Sequence, residues 1–405
     1  MPPSPQPMAP LILSAYTLVT ANGRGVGPVL EALRTRRSGL APCDFEDVAL
    51  KTYIGRVAGL EEFSLDHELG PFDCRNNRLA WLGLQQDGFM VAVAEAKQRY
   101  GAHRIGVVMG TSTSGILETE HAYRMRDPLT DTLPEGYRAR YRYTHNMFSL
   151  GYFVRTCLGL KGPALVISTA CSSSAKVFAT AARLMQTGLC DAAIVGGVDS
   201  LCLTTLYGFS ALQLLSPGPC RPCDEDRDGL SLGEAAGYAL LESSDKVGGR
   251  GTVALLGYGE STDGYHMSHP HPEGAGAMRA ITDSLLRARL RPEQVEYVNL
   301  HGTATVANDS VEDKAVYGLF GARPACSSTK GWTGHTLGAA GITEAIISAL
   351  CLTHGLLPGT LNCRRVDGSL KSRILRENQT GSVSCVVSNI FGFGGNNCSL
   401  VFGKL

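Results

Sequence analysis

The chain has no excess of charge of one sign, no long apolar run and no basic residue before Arg24. Lys plus Arg total 37 and Asp plus Glu total 37, so the formal net charge is zero. Binding nucleic acid through an overall field needs a basic excess, so nucleic acid is not an expected partner. A run of about 18 apolar residues, the length a membrane helix needs, does not occur. Lys176 and Glu344 interrupt the two most apolar stretches, and no membrane span is predicted. The apolar segment 11–21 has no basic residue ahead of it, the first being Arg24. It therefore departs from a secretory leader and reads as a first β-strand. Biased composition is confined to Pro-rich residues 1–7, which are expected to fray.

Glycine and cysteine are plentiful. The 405 residues include 48 Gly, which points to tight turns and close backbone approaches. The 13 Cys are odd in number and scattered, unlike a dense secreted disulfide scaffold. A reducing, cytoplasmic compartment is expected. Hydrophobic content of 44% with 18% charged residues describes a folded chain. Length alone suggests two or three units. Glycines cluster at 246–251 (K-V-G-G-R-G), and two α/β halves, 1–250 and 251–405, are expected to meet there.

The patterning supports α/β structure. Residues 163–170 (P-A-L-V-I-S-T-A) form a short apolar run suited to a buried strand. Residues 171–187 carry small and apolar side chains at helical spacing, and 191–198 (D-A-A-I-V-G-G-V) form another buried strand. Strand, helix and strand in that order indicate a parallel or mixed sheet. Further strands are expected at 104–110, 253–257 and 296–300, a helix at 338–354, and a hairpin from 382–388 and 397–402. No clear repeat relates the halves. At most a strand–turn–helix element occurs twice, around Cys171 and around 330–341.

Chemistry gathers at strand ends. Cys171 falls between a strand and a Ser-rich helix start, where unpaired N–H groups favour a thiolate. His301 follows E-Y-V-N-L, and His335 precedes a helix within S-S-T-K-G-W-T-G-H-T-L-G-A-A-G (327–341). One thiolate and two imidazoles converging would suit acyl transfer, the sulfur carrying the acyl group and N–H donors stabilising an oxyanion. Lys330 and Glu344 lie close to His335 in sequence; if buried, each needs the other. Taken singly, these residues read as a small buried cysteine, loop histidines and a surface ion pair.

Other signals are weaker. Cys220 and Cys223 form one C-x-x-C without a second pair, so neither zinc nor redox use is expected. His266, His269 and His271 cluster within six residues, yet no metal is assigned to them. The glycines 392–395 (G-F-G-G) lack the Lys-Ser/Thr of a phosphate loop; they read as a place where backbone amides approach a thioester oxygen. Arg124, Arg126, Arg138, Arg140 and Arg142 crowd one stretch. They form either a solvated face or a docking patch for an acidic partner.

Taken together, six segments carry a resemblance to a known family. They are S-T-A-C-S-S-S-A (168–175), R-P-C-D-E-D-R-D-G-L-S-L-G-E-A-A-G (221–237), S-T-D-G-Y-H-M (261–267), V-N-L-H-G-T-A-T (298–305), S-T-K-G-W-T-G-H-T-L-G-A-A-G (328–341) and S-N-I-F-G-F-G-G-N-N (388–397). In this order the chain resembles the elongating β-ketoacyl-acyl-carrier-protein synthases. The match covers nearly the whole chain and is weakest over the first hundred residues. The resemblance implies a thiolase-like five-layer αβαβα fold of two similar halves with mixed sheets. It implies that Cys171 accepts the acyl group, that His301 and His335 assist decarboxylation of a malonyl donor, that Lys330 supports them beside His335, and that Glu344 partners Lys330. The backbone N–H groups of Cys171 and Phe393 would form the oxyanion hole. Phe391 matches a gate residue, and Thr303 and Thr305 match hydroxyls that hold a phosphopantetheine arm. His266 is expected near the entrance for that arm, and Thr113 at the acyl pocket near a dimer contact.

The implied partner is an acyl carrier protein, docked by the Arg stretch. No separate cofactor is implied. A homodimer is expected, or a heterodimer with a related subunit. The alternative function is a non-catalytic, chain-length-factor-like subunit. Such subunits lack the nucleophile, which Cys171 supplies here. A thiolase-like enzyme using coenzyme A is a further alternative, disfavoured by the two-histidine pattern. Val306, Asn308 and Asn396 depart from the usual Pro, Gly and Thr. The pathway, fatty-acid or polyene/polyketide elongation, stays open.

Overall fold

The computed structural model describes residues 5–248 and 252–405. The expected boundary between 250 and 251 lies outside the described residues. On either side of it the chain runs through the same series of strands. The first series is β1 (Leu11–Thr20), β2 (Ile105–Gly110), β3 (Ala164–Ile167), β4 (Ala192–Asp199) and β5 (Ala235–Ser243). The second is β6 (Val253–Thr262), β7 (Tyr297–Asn299), β8 (Ala325–Ser327), β9 (Cys385–Gly392) and β10 (Asn396–Lys404). Spatial order is β3-β2-β4-β5-β1 in the first half and β8-β7-β9-β10-β6 in the second. The three strands at one side are parallel and the remaining pairings antiparallel, in both halves. The halves thus share one topology that the sequence barely shows. A short pairing of β1 with β6, Leu11 to Leu255 and Ile12 to Ala254, joins the two sheets.

Helices fill the remaining layers. One outer face of the first sheet is covered by α1 (Arg75–Leu84), α2 (Phe89–Tyr100) and α3 (Phe148–Cys157). Between the sheets lie α4 (Ser173–Gln186) and the later helix Ala340–His354. The outer face of the second sheet carries α5 (Ala275–Ala288) and α6 (Val306–Phe320). The helix Ala340–His354, α7, completes the series. Strand alternation divides the cores: Val107 and Met109 face the outer layer while Val108 faces inward. In the same way Val386 and Leu400 face inward, and Val387 and Val401 outward. This period of two is what a sheet covered on both faces requires.

The helical stretch Leu337–His354 is long and apolar enough to cross a membrane, and 89% of it is buried inside the structure. Its apolar residues run all around the axis because sheets or helices surround it. The expected hairpin is present, with a shorter link: β9 continues to Gly392, and Phe393–Gly395 alone joins it to β10.

The two central helices meet at their N-termini, and small residues make this possible. A Cβ on Gly341 would lie 2.2 Å from the Ala175 nitrogen, and one on Gly110 would lie 2.5 Å from that of Ser174. A larger side chain at Gly341 would hold the two helices apart, and one at Gly110 would hold β2 away from α4. Since Cys171 precedes α4 and His335 precedes α7, this packing sets the spacing of the site.

Candidate active site

Cys171 sits just ahead of α4 on a sharp turn. Ala170 takes the left-handed conformation (φ 52°), a strained state for a residue with a Cβ. The turn buries the thiol at the end of β3, 5% exposed. His335 Nε2 lies 3.0 Å from Cys171 Sγ, and the His301 and His335 rings stand edge to face with centroids 5.3 Å apart. Ligand atoms of all three residues lie within 4.8 Å of one another. The convergence expected from strand-end positions is therefore present.

Hydrogen bonds assign the protons. The Leu337 backbone N–H donates to His335 Nδ1 at 3.3 Å, so Nε2 carries the proton and faces the sulfur. Lys330 Nζ lies 3.3 Å from His301 Nδ1. An ammonium has no acceptor to offer, so that nitrogen accepts and His301 Nε2 also bears its proton. Burial holds both imidazoles well below the usual histidine range, and the Lys330 charge adds to the effect. Two neutral imidazoles thus present N–H donors to one cavity. The same three residues resemble a soft metal-ligand set, but the ammonium beside them and the protons on the facing nitrogens oppose a cation.

Lys330 corrects one expectation. It was placed beside His335, whereas its ammonium contacts His301 Nδ1, the His301 backbone oxygen and the Glu344 carboxylate. Glu344 is buried with it, away from the cavity lining. Burial pushes the Glu344 carboxyl up to about 7, against the pull of Lys330. Cys171 corrects another. Burial pushes its thiol up to about 11, and the Lys330 charge and the Phe393 N–H only partly offset this. Desolvation outweighs the helix start that was expected to yield a thiolate.

A cavity of about 300 Å³ opens onto the sulfur. Phe391, Phe393, Thr303 and Thr305 line it as expected, along with Cys171 and both histidines. The Thr303 and Thr305 hydroxyls are 2.9 Å apart, and the Phe391 ring lies 6.3 Å from that of His301. A Cβ on Gly392 would fall 3.2 Å from the Cys171 nitrogen, so the G-F-G-G backbone does press against the nucleophile. Phe393 stacks on Phe209, centroids 5.6 Å apart. Phe209, Leu212, Leu214 and Leu230 form an apolar wall that sequence reading missed, because these residues carry no motif.

Other expected residues lie elsewhere. Thr113 is absent from the cavity lining; it is buried and its hydroxyl donates to Asp199 at 3.0 Å. His266 is exposed, and its neighbour His269 lines the entrance instead, Nδ1 to Nδ1 3.1 Å. Val306 begins α6 and lines the mouth with Asn308, so the unusual residues there are accommodated by an ordinary helix start. Asn396 accepts from Lys176 Nζ at 3.1 Å. All five arginines of the crowded stretch are exposed. Three pair with acids: Arg124 with Asp47 at 2.9 Å, Arg126 with Asp131 at 2.8 Å, and Arg140 with Glu118 at 3.1 Å. Arg142 lies over the Tyr143 ring. Cys220 and Cys223 are both buried and free.

Paired α/β halves that bring a buried thiol and two N–H-bearing imidazoles to one apolar cavity define a thiolase-fold condensing enzyme. Known proteins agree. Residues 14–246 match the N-terminal domain of beta-ketoacyl synthase and residues 253–364 its C-terminal domain. The 3-oxoacyl-[acyl-carrier-protein] synthase 2 of Coxiella burnetii is 30% identical over 98% of both chains. A mitochondrial 3-oxoacyl-[acyl-carrier-protein] synthase of Arabidopsis thaliana is 38% identical over 61% of this chain and 58% of its own length. Among solved structures, a ketosynthase in complex with its chain length factor from Xenorhabdus doucetiae is 37% identical, with a TM-score of 0.88 over 98% of each chain. The chain belongs to the β-ketoacyl synthase family of condensing transferases.

Proposed function

We propose that this chain elongates an acyl group by decarboxylative Claisen condensation on acyl carrier protein. The observation that carries this reading is the pair of neutral imidazoles, each with its proton on the nitrogen facing the cavity beside Cys171. In the first step the thiol exchanges into an incoming acyl thioester, and its proton leaves with the carrier thiol. The tetrahedral oxyanion is held by the backbone N–H groups of Cys171 and Phe393.

A malonyl thioester then loses carbon dioxide. The electrons of the broken C–C bond pass into an enolate whose oxygen accepts from His301 and His335; one such donor contributes about 3–4 kcal/mol. The enolate carbon attacks the acyl carbon on Cys171. A β-ketoacyl thioester leaves on the carrier, and the displaced Cys171 thiolate takes up a proton from solvent. Donors rather than a general base are what the second step needs, and the tautomers supply them. No separate cofactor enters this sequence. The apolar wall formed by Phe209, Leu212, Leu214 and Leu230 suits a hydrocarbon chain.

Phe391 gates the cavity, and Thr303 and Thr305 hold the phosphopantetheine arm. The arginine stretch steers an acidic carrier, chiefly through Arg138 and Arg142, which no acid neutralises within ion-pair distance among the described residues. A second subunit of the same fold covers the edge strand β3. Leu165 in that strand is 40% exposed, and an unpaired apolar edge invites another chain. The partner is a second copy or a related chain-length factor, the latter being what the Xenorhabdus ketosynthase binds. Thirteen unpaired cysteines support a reducing, cytoplasmic setting.

Incubation with an acyl-carrier protein followed by mass spectrometry tests the reading. An acyl adduct on Cys171 and malonyl-dependent chain extension are expected, both lost in Cys171→Ala. Extension by that variant would refute the mechanism. An unacylated wild-type chain would instead favour a non-catalytic partner subunit.

A further inference from the structure

Asp199 ends β4 fully buried, yet the reaction described above makes no use of it. Its carboxylate accepts from six donors. Five belong to the loop after β2: Thr111 Oγ1 at 2.5 Å, Ser112 N at 3.0 Å, Ser112 Oγ, Thr113 N at 3.2 Å and Thr113 Oγ1. The sixth comes from the other half of the molecule: the Gly338 backbone N–H, 2.6 Å from Oδ2. Gly338 comes so close that a Cβ on it would lie 2.6 Å from that oxygen.

The link leads directly to the site. Gly338 follows Leu337, which holds a left-handed conformation (φ 53°). For a leucine this state is strained and persists only where its neighbours enforce it. In that conformation the Leu337 N–H points at His335 Nδ1 and so fixes the proton on Nε2, 3.0 Å from the sulfur. We infer that Asp199 is the positioning residue for His335: by clamping Gly338 it holds Leu337 in the conformation that sets the imidazole's tautomer and aim. It thereby makes decarboxylation in the second half depend on a carboxylate in the first. This rests on the condensing reading, where His335 must donate rather than accept.

The two half-reactions separate the idea from a purely structural role. Acylation of Cys171 relies on the sulfur and backbone N–H groups, whereas decarboxylation relies on the imidazole donors. Asp199→Ser shortens the acceptor and releases Gly338. Gly338→Ala acts from the other side of the contact: its Cβ would meet Asp199 Oδ2 and the Ser112 backbone nitrogen, each at 2.6 Å, and so forces the same loop away with the carboxylate itself intact. Asp199→Asn can keep its amide oxygen on Gly338 while its NH₂ faces the Thr111 and Thr113 hydroxyls and gives up the Thr113 backbone N–H contact, so it restores the Gly338 clamp though not the whole donor set.

Each full-length variant is assayed for acylation by an acyl-carrier protein, for CO₂ release from malonyl-carrier protein, and by ¹⁵N spectra of the histidine rings. Asp199→Ser and Gly338→Ala are expected to slow CO₂ release about 100-fold, the scale of a misplaced reacting group. Acylation should change less than about threefold, and the His335 signals should leave the Nε2–H pattern. Asp199→Asn should retain most of the decarboxylation. If Asp199→Ser does not fold, Gly338→Ala decides alone. Equal losses in both half-reactions, or an unchanged His335 tautomer in a folded variant, overturn the inference. A wild-type chain that neither acylates nor decarboxylates would overturn the condensing reading instead.

Discussion

Removing one partner of the Lys330–Glu344 pair should harm the protein more than removing both. Lys330 is 1% and Glu344 2% exposed, and among the described residues the ammonium's hydrogen-bond partners are the Glu344 carboxylate, the His301 backbone oxygen and His301 Nδ1. Glu344→Leu removes the carboxylate paired with that ammonium in a buried site. The expected loss is about 3–5 kcal/mol, the range for breaking a buried pair. Lys330→Met with Glu344→Leu replaces the pair by apolar groups of similar size, and such replacements are often neutral or stabilising. The double variant should therefore be more stable than Glu344→Leu, a strongly non-additive result.

Activity should not recover with stability. Without the ammonium, His301 Nδ1 loses the donor that keeps the proton on Nε2, and half of the enolate-stabilising pair loses its orientation. Urea unfolding reads the first effect, and CO₂ release from malonyl-carrier protein the second. A double variant no more stable than Glu344→Leu would refute the account of the pair as a buried charge in need of a partner. A double variant with normal decarboxylation would refute the tautomer argument.

Other outcomes follow from the same geometry. Gly341→Val should separate the N-termini of α4 and α7, destabilise the fold and abolish condensation, measured by thermal unfolding and chain extension; overpacking of this kind costs about 1–3 kcal/mol or more. The Cys171 thiol, raised to about 11 by burial, is neutral at pH 7. Alkylation by iodoacetamide should accelerate as pH rises toward that value, and a plateau below pH 8 would show that the helix start wins after all. Reversing Arg138 and Arg142 to Glu should raise KM for carrier-bound substrate while sparing a small thioester. Equal effects on both substrates would remove the docking role.

Much of the site was legible because its chemistry occupies strand ends. Cys171, His301 and His335 each follow or precede a recognisable apolar run, and the segments around them are specific enough to name a family. Phe391, Phe393, Thr303 and Thr305 came with those segments and do line the cavity. Two expected residues have contacts that their segments do not announce. Thr113 lies outside the lining of the cavity at Cys171 and donates to Asp199. His266 lies next to the entrance, its Nδ1 3.1 Å from that of His269, which lines it. Asp199 went unnoticed, one residue beyond the predicted strand 191–198, even though an ionisable side chain at the C-terminal end of a buried strand is itself a signal.

The sequence by itself determined which residue types are available and where along the chain they fall at element boundaries, since apolar periodicity and local motifs are properties of neighbours in sequence. The thiolase-like layering came through the family resemblance that the six ordered segments carry. Only the tertiary structure decided that the two halves repeat one strand order, that Lys330 serves His301 rather than His335, and that the thiol is raised rather than lowered. The second of these depends on hydrogen bonds that form only once the His301 and Lys330 segments are brought side by side, and the third on desolvation of the sulfur. Such terms arise only when the two helix starts are packed against each other with glycine at the point of contact.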